Sequence, residues 1–372
     1  HDSTLHRILD NFSRPAGVDK VLDLTGTYVI PPFADAHNHG IGTGDEQRDR
    51  SMISRFLRDG VFYVQSMGNA PLMRVDRDHL GLDGPNGVDA MLAQGTITGI
   101  GGHPMGLLRN VLLPQGYFPG HTIDTLEDYR FYEVGSVQEL QQKWPKIRAS
   151  QGDFIKFFLF NSDEYDARRN DEKFLGRRGL DPGLAAQVVR LAHRDGLRAA
   201  AHIVNVADFR TALDAGVDII AHLPSEEMLT EDDARRAAQR KVPVVTTCGF
   251  LTRLARNSPQ ESAAIASRQA PNLRLLKQAG VRIVIGSDDP ADTTSAEVAH
   301  LRQLGVFSDL ELLLMWTGET PRTIFPGRMI GSLEEGHEAS FLALEGDPLA
   351  DWTATGRIEL RVKRGAVLDL PQ

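Results

Sequence analysis

Eight short apolar runs recur along the chain with amphipathic stretches between them, and this alternation restricts the fold more than any other feature. The runs are Phe33–His37, Val61–Met67, Thr96–Gly101, Phe154–Phe160, Arg198–Val204, Ile219–Leu223, Pro243–Thr247 and Arg282–Ser287. Most are apolar at consecutive positions, the pattern of strands covered on both faces. The stretches Gln47–Asp59, Asp181–Asp195, Val206–Ala215, Asp232–Arg240 and Ala263–Gln278 have helical period. Several are followed by glycine, at Gly60, Gly196, Gly216 and Gly280, the residue that best tolerates the left-handed turn closing a helix. Strand and helix alternating in this way predict an α/β fold, a TIM-like (β/α)8 barrel over residues 33–329. A doubly wound open sheet is the alternative, weakened because no GxGxxG follows the first strand.

Both ends of the chain read as strand-rich. Lys20–Ile30 at one end, and Ser340–Leu344, Arg357–Arg364 and Ala366–Leu370 at the other, predict a small β-sandwich domain built from residues 1–32 and 330–372. The segment Met105–Gly135 is long and rich in Gly and Pro, the composition of a cover over the face where barrel active sites lie. The 372 residues carry 41 Lys+Arg against 50 Asp+Glu, a formal charge of −9, which argues against a nucleic-acid partner. The single cysteine, Cys248, excludes an intrachain disulfide and any multi-cysteine zinc site, and reads as a packing residue. No apolar run approaches the roughly 20 residues of a bilayer-spanning helix. The expected partner is a small-molecule substrate, with a homo-oligomer left open. The chain opens on His1 rather than methionine, so removal of a preceding segment is expected. The compartment is left open between cytoplasmic and, after loss of a signal peptide, periplasmic or secreted.

Chemistry has to come from the strand ends. In Asp35-Ala36-His37-Asn38-His39-Gly40 two histidines stand at i and i+2, on one face of a strand, where both imidazoles reach one metal ion. Lys156 interrupts an otherwise apolar strand. An ammonium there must be paired, neutral or modified: it either meets a carboxylate such as Asp153 or Asp163, or is desolvated to a neutral amine able to add carbon dioxide. His202 and His222 end successive strands, one βα unit apart, and so occupy equivalent positions. Asp288 ends the eighth strand, where an acid binds metal and accepts a proton, or caps the segment that follows. His103 ends the third strand and faces the long cover, to touch substrate or to brace the loop. His1, His6, His79, His121, His193, His300 and His337 lie on helices, loops or tails and are left out of the site.

Together, His37, His39, Lys156, His202, His222 and Asp288 fall at the ends of strands one, one, four, five, six and eight. This set resembles the amidohydrolase superfamily, in the subtype with two metals bridged by a carboxylated lysine. Thr98-Gly99-Ile100-Gly101-Gly102-His103 and Ala215-Gly216-Val217-Asp218-Ile219-Ile220-Ala221-His222 are similar to the Xaa-Pro dipeptidase and imidazolonepropionase-like branch. The resemblance implies roles for each residue. His37, His39 and Asp288 hold the more buried ion, carboxylated Lys156 bridges, and His202 and His222 hold the outer ion. The two divalent ions are expected to be zinc, with manganese or iron as alternatives. A hydroxide bridging them attacks a C–N carbonyl, Asp288 shuttles its proton to the leaving nitrogen, and His103 donates to the carbonyl oxygen. Related dipeptidases often carry a second histidine where this chain has Ile203-Val204-Asn205, and an Ala-Asp pair where it has Ala339-Ser340.

The expected activity is hydrolysis of an amide or peptide-like C–N bond in a small substrate, such as a dipeptide or N-acyl amino acid. Two rivals stand beside it: a cyclic amidase or deaminase of the same fold with one or two metals, and a non-catalytic binding or scaffold barrel. Arg168, Arg169, Arg177 and Arg178 lie in the loop Asn161–Gly179, and are read as a solvated basic loop or, alternatively, as attractors of a substrate carboxylate.

Overall fold

All eight apolar runs form strands, because residues that are apolar at consecutive positions gain most when both faces are covered. The computed structural model describes residue 5 and residues 21–370; His1, His6 and most of the N-terminal part of the expected small domain lie outside them. In chain order the strands are β1 (Tyr28–Ile30), β2 (Phe33–Asn38), β3 (Val61–Ser66), β4 (Asp89–Leu92), β5 (Thr96–Thr98), β6 (Phe131–Glu133) and β7 (Ile155–Phe158). They continue with β8 (Ala199–His202), β9 (Ile219–Ile220), β10 (Val244–Val245), β11 (Ile283–Val284), β12 (Phe341–Leu344), β13 (Ile358–Lys363) and β14 (Ala366–Val367).

The fold is α/β with parallel sheets. One sheet has the order β11-β10-β9-β8-β7-β5-β6 and a second the order β2-β3-β4. From β7 to β11 each strand lies beside its sequence neighbour, without the reversal of order that marks a doubly wound sheet. The five expected helices form, at Glu46–Arg58, Pro182–Arg194, Val206–Ala215, Glu231–Gln239 and Pro259–Gln278. Local capping starts four of them: Asp45 accepts from the amides of Gln47 and Arg48, Asp181 from Gly183, Asn205 from Asp208, and Thr230 from Asp233.

Two strands differ from expectation. The third apolar run begins earlier than Thr96. Gln94 and Gly95 turn left-handed, at φ +48° and +91°, and split it into β4, which pairs with β3, and β5, which pairs with β7. The cover is not a structureless loop either, since its end supplies β6, parallel to β5. Its remainder packs on a small apolar cluster of its own containing Met105, Leu108, Tyr117, Phe118, Leu126 and Phe131.

At the chain ends, β1 pairs antiparallel with β12, β12 with β13 and β13 with β14. The described residues form a single four-stranded sheet there, where a two-sheet sandwich was expected. A buried charge cluster ties this sheet to β4. Asp89 is fully buried; it accepts from Lys363 Nζ at 2.7 Å, Arg328 Nη2 at 2.7 Å and Arg364 Nη2 at 2.8 Å. Glu338 balances the surplus of cations, at 2.7 Å from Arg328 and 3.3 Å from Arg364. No helix among the described residues is long and apolar enough to cross a membrane.

Beyond β10 the chain enters a short helix, Cys248–Leu254, whose first amides are met by a buried acid on the helix Ser295–Gln303. Glu297 Oε1 accepts from Cys248 N at 2.8 Å and Oε2 from Gly249 N at 2.6 Å. The same burial raises the Cys248 thiol well above its ordinary value, in keeping with a packing role.

Replacing Asp89 with Ala leaves the fully buried Lys363 without a carboxylate and takes one of two acids from Arg328 and Arg364. Urea denaturation is expected to show a loss of about 3–5 kcal/mol, the cost of breaking a buried ion pair from one side. Burial also pushes Glu297 up from 4.5 to about 7. Between those values the folded state binds a proton that the unfolded chain does not, so this group's contribution to stability falls as pH rises through 7. Glu297→Gln is therefore expected to flatten the fall of Tm between pH 5 and 7, measured by differential scanning calorimetry; an unchanged slope would assign that titration elsewhere.

Candidate metal centre

β2 delivers the first two histidines, and local bonds decide which nitrogen each presents. His37 Nδ1 lies 2.9 Å from the Ala221 carbonyl and His39 Nδ1 lies 3.0 Å from the Gly68 carbonyl. A carbonyl only accepts, so both Nδ1 atoms carry the proton and both Nε2 atoms offer lone pairs in the neutral rings. Those two Nε2 atoms are 3.2 Å apart. Asp288 Oδ1 joins them, 3.1 Å from His37 Nε2 and 3.2 Å from His39 Nε2. Burial lowers His37 to about 4, so its ring is neutral at pH 7. Three acceptor atoms thus converge on one point, and they repel unless a cation stands among them. Ligand-capable atoms of His37, His222 and Asp288 also lie within 4.8 Å of one another.

A second cluster, of Lys156, His202 and His222, stands on or just beyond β7, β8 and β9. His202 Nδ1 lies 2.8 Å from His222 Nε2, and His222 Nδ1 lies 2.9 Å from Thr247 Oγ1. His202 Nε2 and Lys156 Nζ are buried with no hydrogen-bond partner. Burial, above all, brings Lys156 down to about 7; Asp288 opposes the shift and Arg130 adds to it. Neither suggested carboxylate pairs with it. Asp153 is taken by Arg77 at 2.8 Å, and Asp163 accepts from Asn205 at 2.8 Å. All six expected ligands therefore meet at one end of the parallel strands. His103 adjoins them, its ring stacked on His202 at 4.9 Å between centroids. Burial lowers it to about 4, which leaves a neutral imidazole whose ring nitrogens have no hydrogen-bond partner among the described residues.

Several residues that position this centre escaped the sequence reading. Asp35, buried on β2, accepts from Ser287 N at 3.0 Å and Ser287 Oγ at 2.7 Å, pinning the residue before Asp288 to the strand that carries His37. Asp288 N in turn donates to His37 O at 2.7 Å. Gly286 lets the two strands close: a Cβ there would lie 2.6 Å from both His37 Cβ and Val245 Cγ1. Thr247 and Asp288 are both left-handed, at φ +50° and +55°. That is a strained state for a β-branched residue, and such strain concentrates at functional sites. A buried Asp two residues before a histidine pair was a readable signal; nothing in the sequence marks Thr247.

The basic loop is more structured than a solvated one. Arg168 pairs with Glu164 at 2.7 Å and Arg169 with Asp166 at 3.3 Å. Arg178 is buried, and its carbonyl accepts from His103 N at 2.7 Å. Three of the histidines left out of the site have local partners instead: His193 has Asp218 at 2.8 Å, His79 has Glu46 at 3.0 Å and His300 has Gln269 at 2.7 Å.

Comparison with known proteins bears on this arrangement. Ochratoxinase from Aspergillus niger is 27% identical over 171 residues, which are 44% of this chain and 36% of that protein's length. Its crystal structure superposes with a TM-score of 0.73 at 18% identity, covering 91% of this chain and 83% of that one. A Xaa-Pro dipeptidase with bound methionine in its active site has a TM-score of 0.76 at 17% identity, covering 99% and 93%. Molinate hydrolase has a TM-score of 0.77 at 15% identity, covering 99% and 89%. At these identities the structural likenesses speak for the fold. Residues 173–367, over half of the chain, match the Amidohydrolase family, and the protein belongs to that family.

Proposed function

We propose that this protein hydrolyses an amide or peptide-like C–N bond of a small substrate, using two divalent metal ions, zinc first among them. The observation that carries the reading is the convergence of His37 Nε2, His39 Nε2 and Asp288 Oδ1 within 3.2 Å, each offering a lone pair. Those three residues would hold the inner ion, His202 and His222 the outer one, and carboxylated Lys156 would bridge. The unsatisfied His202 Nε2 and Lys156 Nζ are what this assignment expects of ligands. Bound there, divalent ions supply Lewis-acid polarisation of a carbonyl and lower the pKa of water towards neutrality.

The chain's own residues do the rest. Asp288 accepts a proton from the attacking water and returns it to the leaving nitrogen. His103, neutral and without a protein partner, donates a hydrogen bond to the substrate carbonyl oxygen as charge develops on it. Asp35, Thr247 and Gly286 hold Asp288, His222 and His37 in place. We also read the parallel sheets as one (β/α)8 barrel over residues 33–329, flanked by a small domain from residues 1–32 and 330–372. The bond from Ala36 N to Ile285 O at 2.9 Å, between β2 and the end of β11, supports closure on that side. The bond from Asp153 N to Leu92 O at 2.8 Å supports it on the other.

A screen of dipeptides and N-acyl amino acids with the zinc-loaded protein tests the activity. Lys156→Ala is expected to lose bound metal, read by elemental analysis, together with activity; full activity in that variant would refute the bridge. One ion per chain with an unmodified lysine would favour the single-metal cyclic amidase or deaminase instead. Asp288→Asn is expected to lower kcat by roughly 10²–10⁴-fold, the range for a lost general acid–base group.

A further inference from the structure

Arg130 stands just before β6, in the segment expected to act as a cover, and its guanidinium is turned inward. The residue is 4% exposed and has no carboxylate partner among the described residues. Nη2 donates to the Gly68 carbonyl at 2.9 Å, Nη1 lies a long 3.4 Å from Thr96 Oγ1, and Nε has no partner. Most of its five N–H donors are therefore unmatched, an arrangement that costs the fold unless an anion arrives.

Its position ties it to the metal centre. The Gly68 carbonyl that it holds also accepts from His39 Nδ1, and Thr96 is in register with Lys156 across β5 and β7. Arg130's charge also bears on His103 and Lys156, lowering both. Space is kept for the group, since a Cβ at Gly68 would lie 2.8 Å from Nη2. Phe118 covers it from the other side, 5.9 Å from ring centroid to Cζ, and is fixed by its amide to Thr43 O at 2.9 Å.

We propose that Arg130 receives the carboxylate of the substrate. The scissile C–N bond then belongs to an acid, an N-acyl amino acid or a dipeptide, rather than to a neutral amide. This rests on the hydrolase reading of the same site. A planar guanidinium fork pairs with a carboxylate through two parallel hydrogen bonds, and a buried fork without a protein anion is open to that exchange. The carboxylate would displace the long Thr96 contact and enter beneath Phe118.

The test compares a panel of N-acetyl-L-amino acids with the matching carboxamides on the metal-loaded protein, by calorimetric titration and by turnover. The wild-type protein is expected to favour the acids by roughly thirtyfold or more, the scale of a buried charge pair losing one partner. Arg130→Gln is expected to weaken the acids far more than the carboxamides and so to erase that preference, and Arg130→Lys to retain part of it. The wild-type comparison keeps the test decisive should a variant fail to fold. Equal affinity for acids and carboxamides, or no binding of any acid, overturns the assignment. So does an equal loss on both panels in a folded Arg130→Gln, which would make Arg130 a brace for His39. Preferential binding of acids without turnover would refute the hydrolase reading and leave the carboxylate site standing.

Discussion

Two imidazole nitrogens and a carboxylate oxygen, all lone-pair donors, are held within 3.2 Å of one another by backbone carbonyls that leave neither ring a choice of tautomer. That convergence opposes folding, since like-signed atoms gathered away from water repel. It persists because each participant is fixed from outside. Ala221 O and Gly68 O set the histidines, Asp35 fixes Ser287, and the Asp288 amide is bonded back to His37 O. The site is thus assembled by bonds from the backbone and from buried polar side chains, and not by its own members' attraction for each other.

The same logic explains why buried charge is placed away from the site as well. Asp208 accepts from the amides of Asn161, Ser162 and Val204, joining the turns after β7 and β8 beside Lys156 and His202. Asp89 gathers Lys363, Arg328 and Arg364 and so locks the terminal sheet against β4. Each is a carboxylate whose lone pairs are nearly all satisfied, the condition under which buried charge is tolerable and orients its surroundings. Rigid turns behind the strands allow strained residues at their ends. Thr247 and Asp288 keep left-handed backbones because the hydrogen bonds around them over-determine the path.

Much of this was legible in one dimension. The eight strands follow from runs of apolar residues, and the six candidate ligands from polar residues that interrupt or close those runs; both patterns are local. Glycines at helix ends and capping residues at helix starts were local too. What escaped was non-local. β4 contains Asp89, an unpromising strand residue until Lys363 arrives from the far end of the chain. β6 was hidden in a segment whose Gly and Pro content reads as loop. Lys156 offered two readings by sequence, and only the engagement of Asp153 and Asp163 with Arg77 and Asn205 removes its proposed local partners. Thr247 and Arg130 carry no signature at all, because their roles depend on which strand ends they approach.

Charge balance at the mouth ties these features together. The inner cluster presents one carboxylate, Asp288, against two buried basic groups, Lys156 and Arg130. Burial lowers both basic groups, but unequally. An amine brought to about 7 can lose its proton, whereas a guanidinium at about 10 keeps it. The division of labour follows from that difference. Lysine is the residue that can become a neutral nucleophile or ligand inside a strand, and arginine the one that stays a cation whatever the site binds. β5 separates Lys156 on β7 from Arg130 just before β6, with Thr96 in register with Lys156; on the proposed reading the pair would offer a metal ligand on one side of the site and a permanent positive charge on the other.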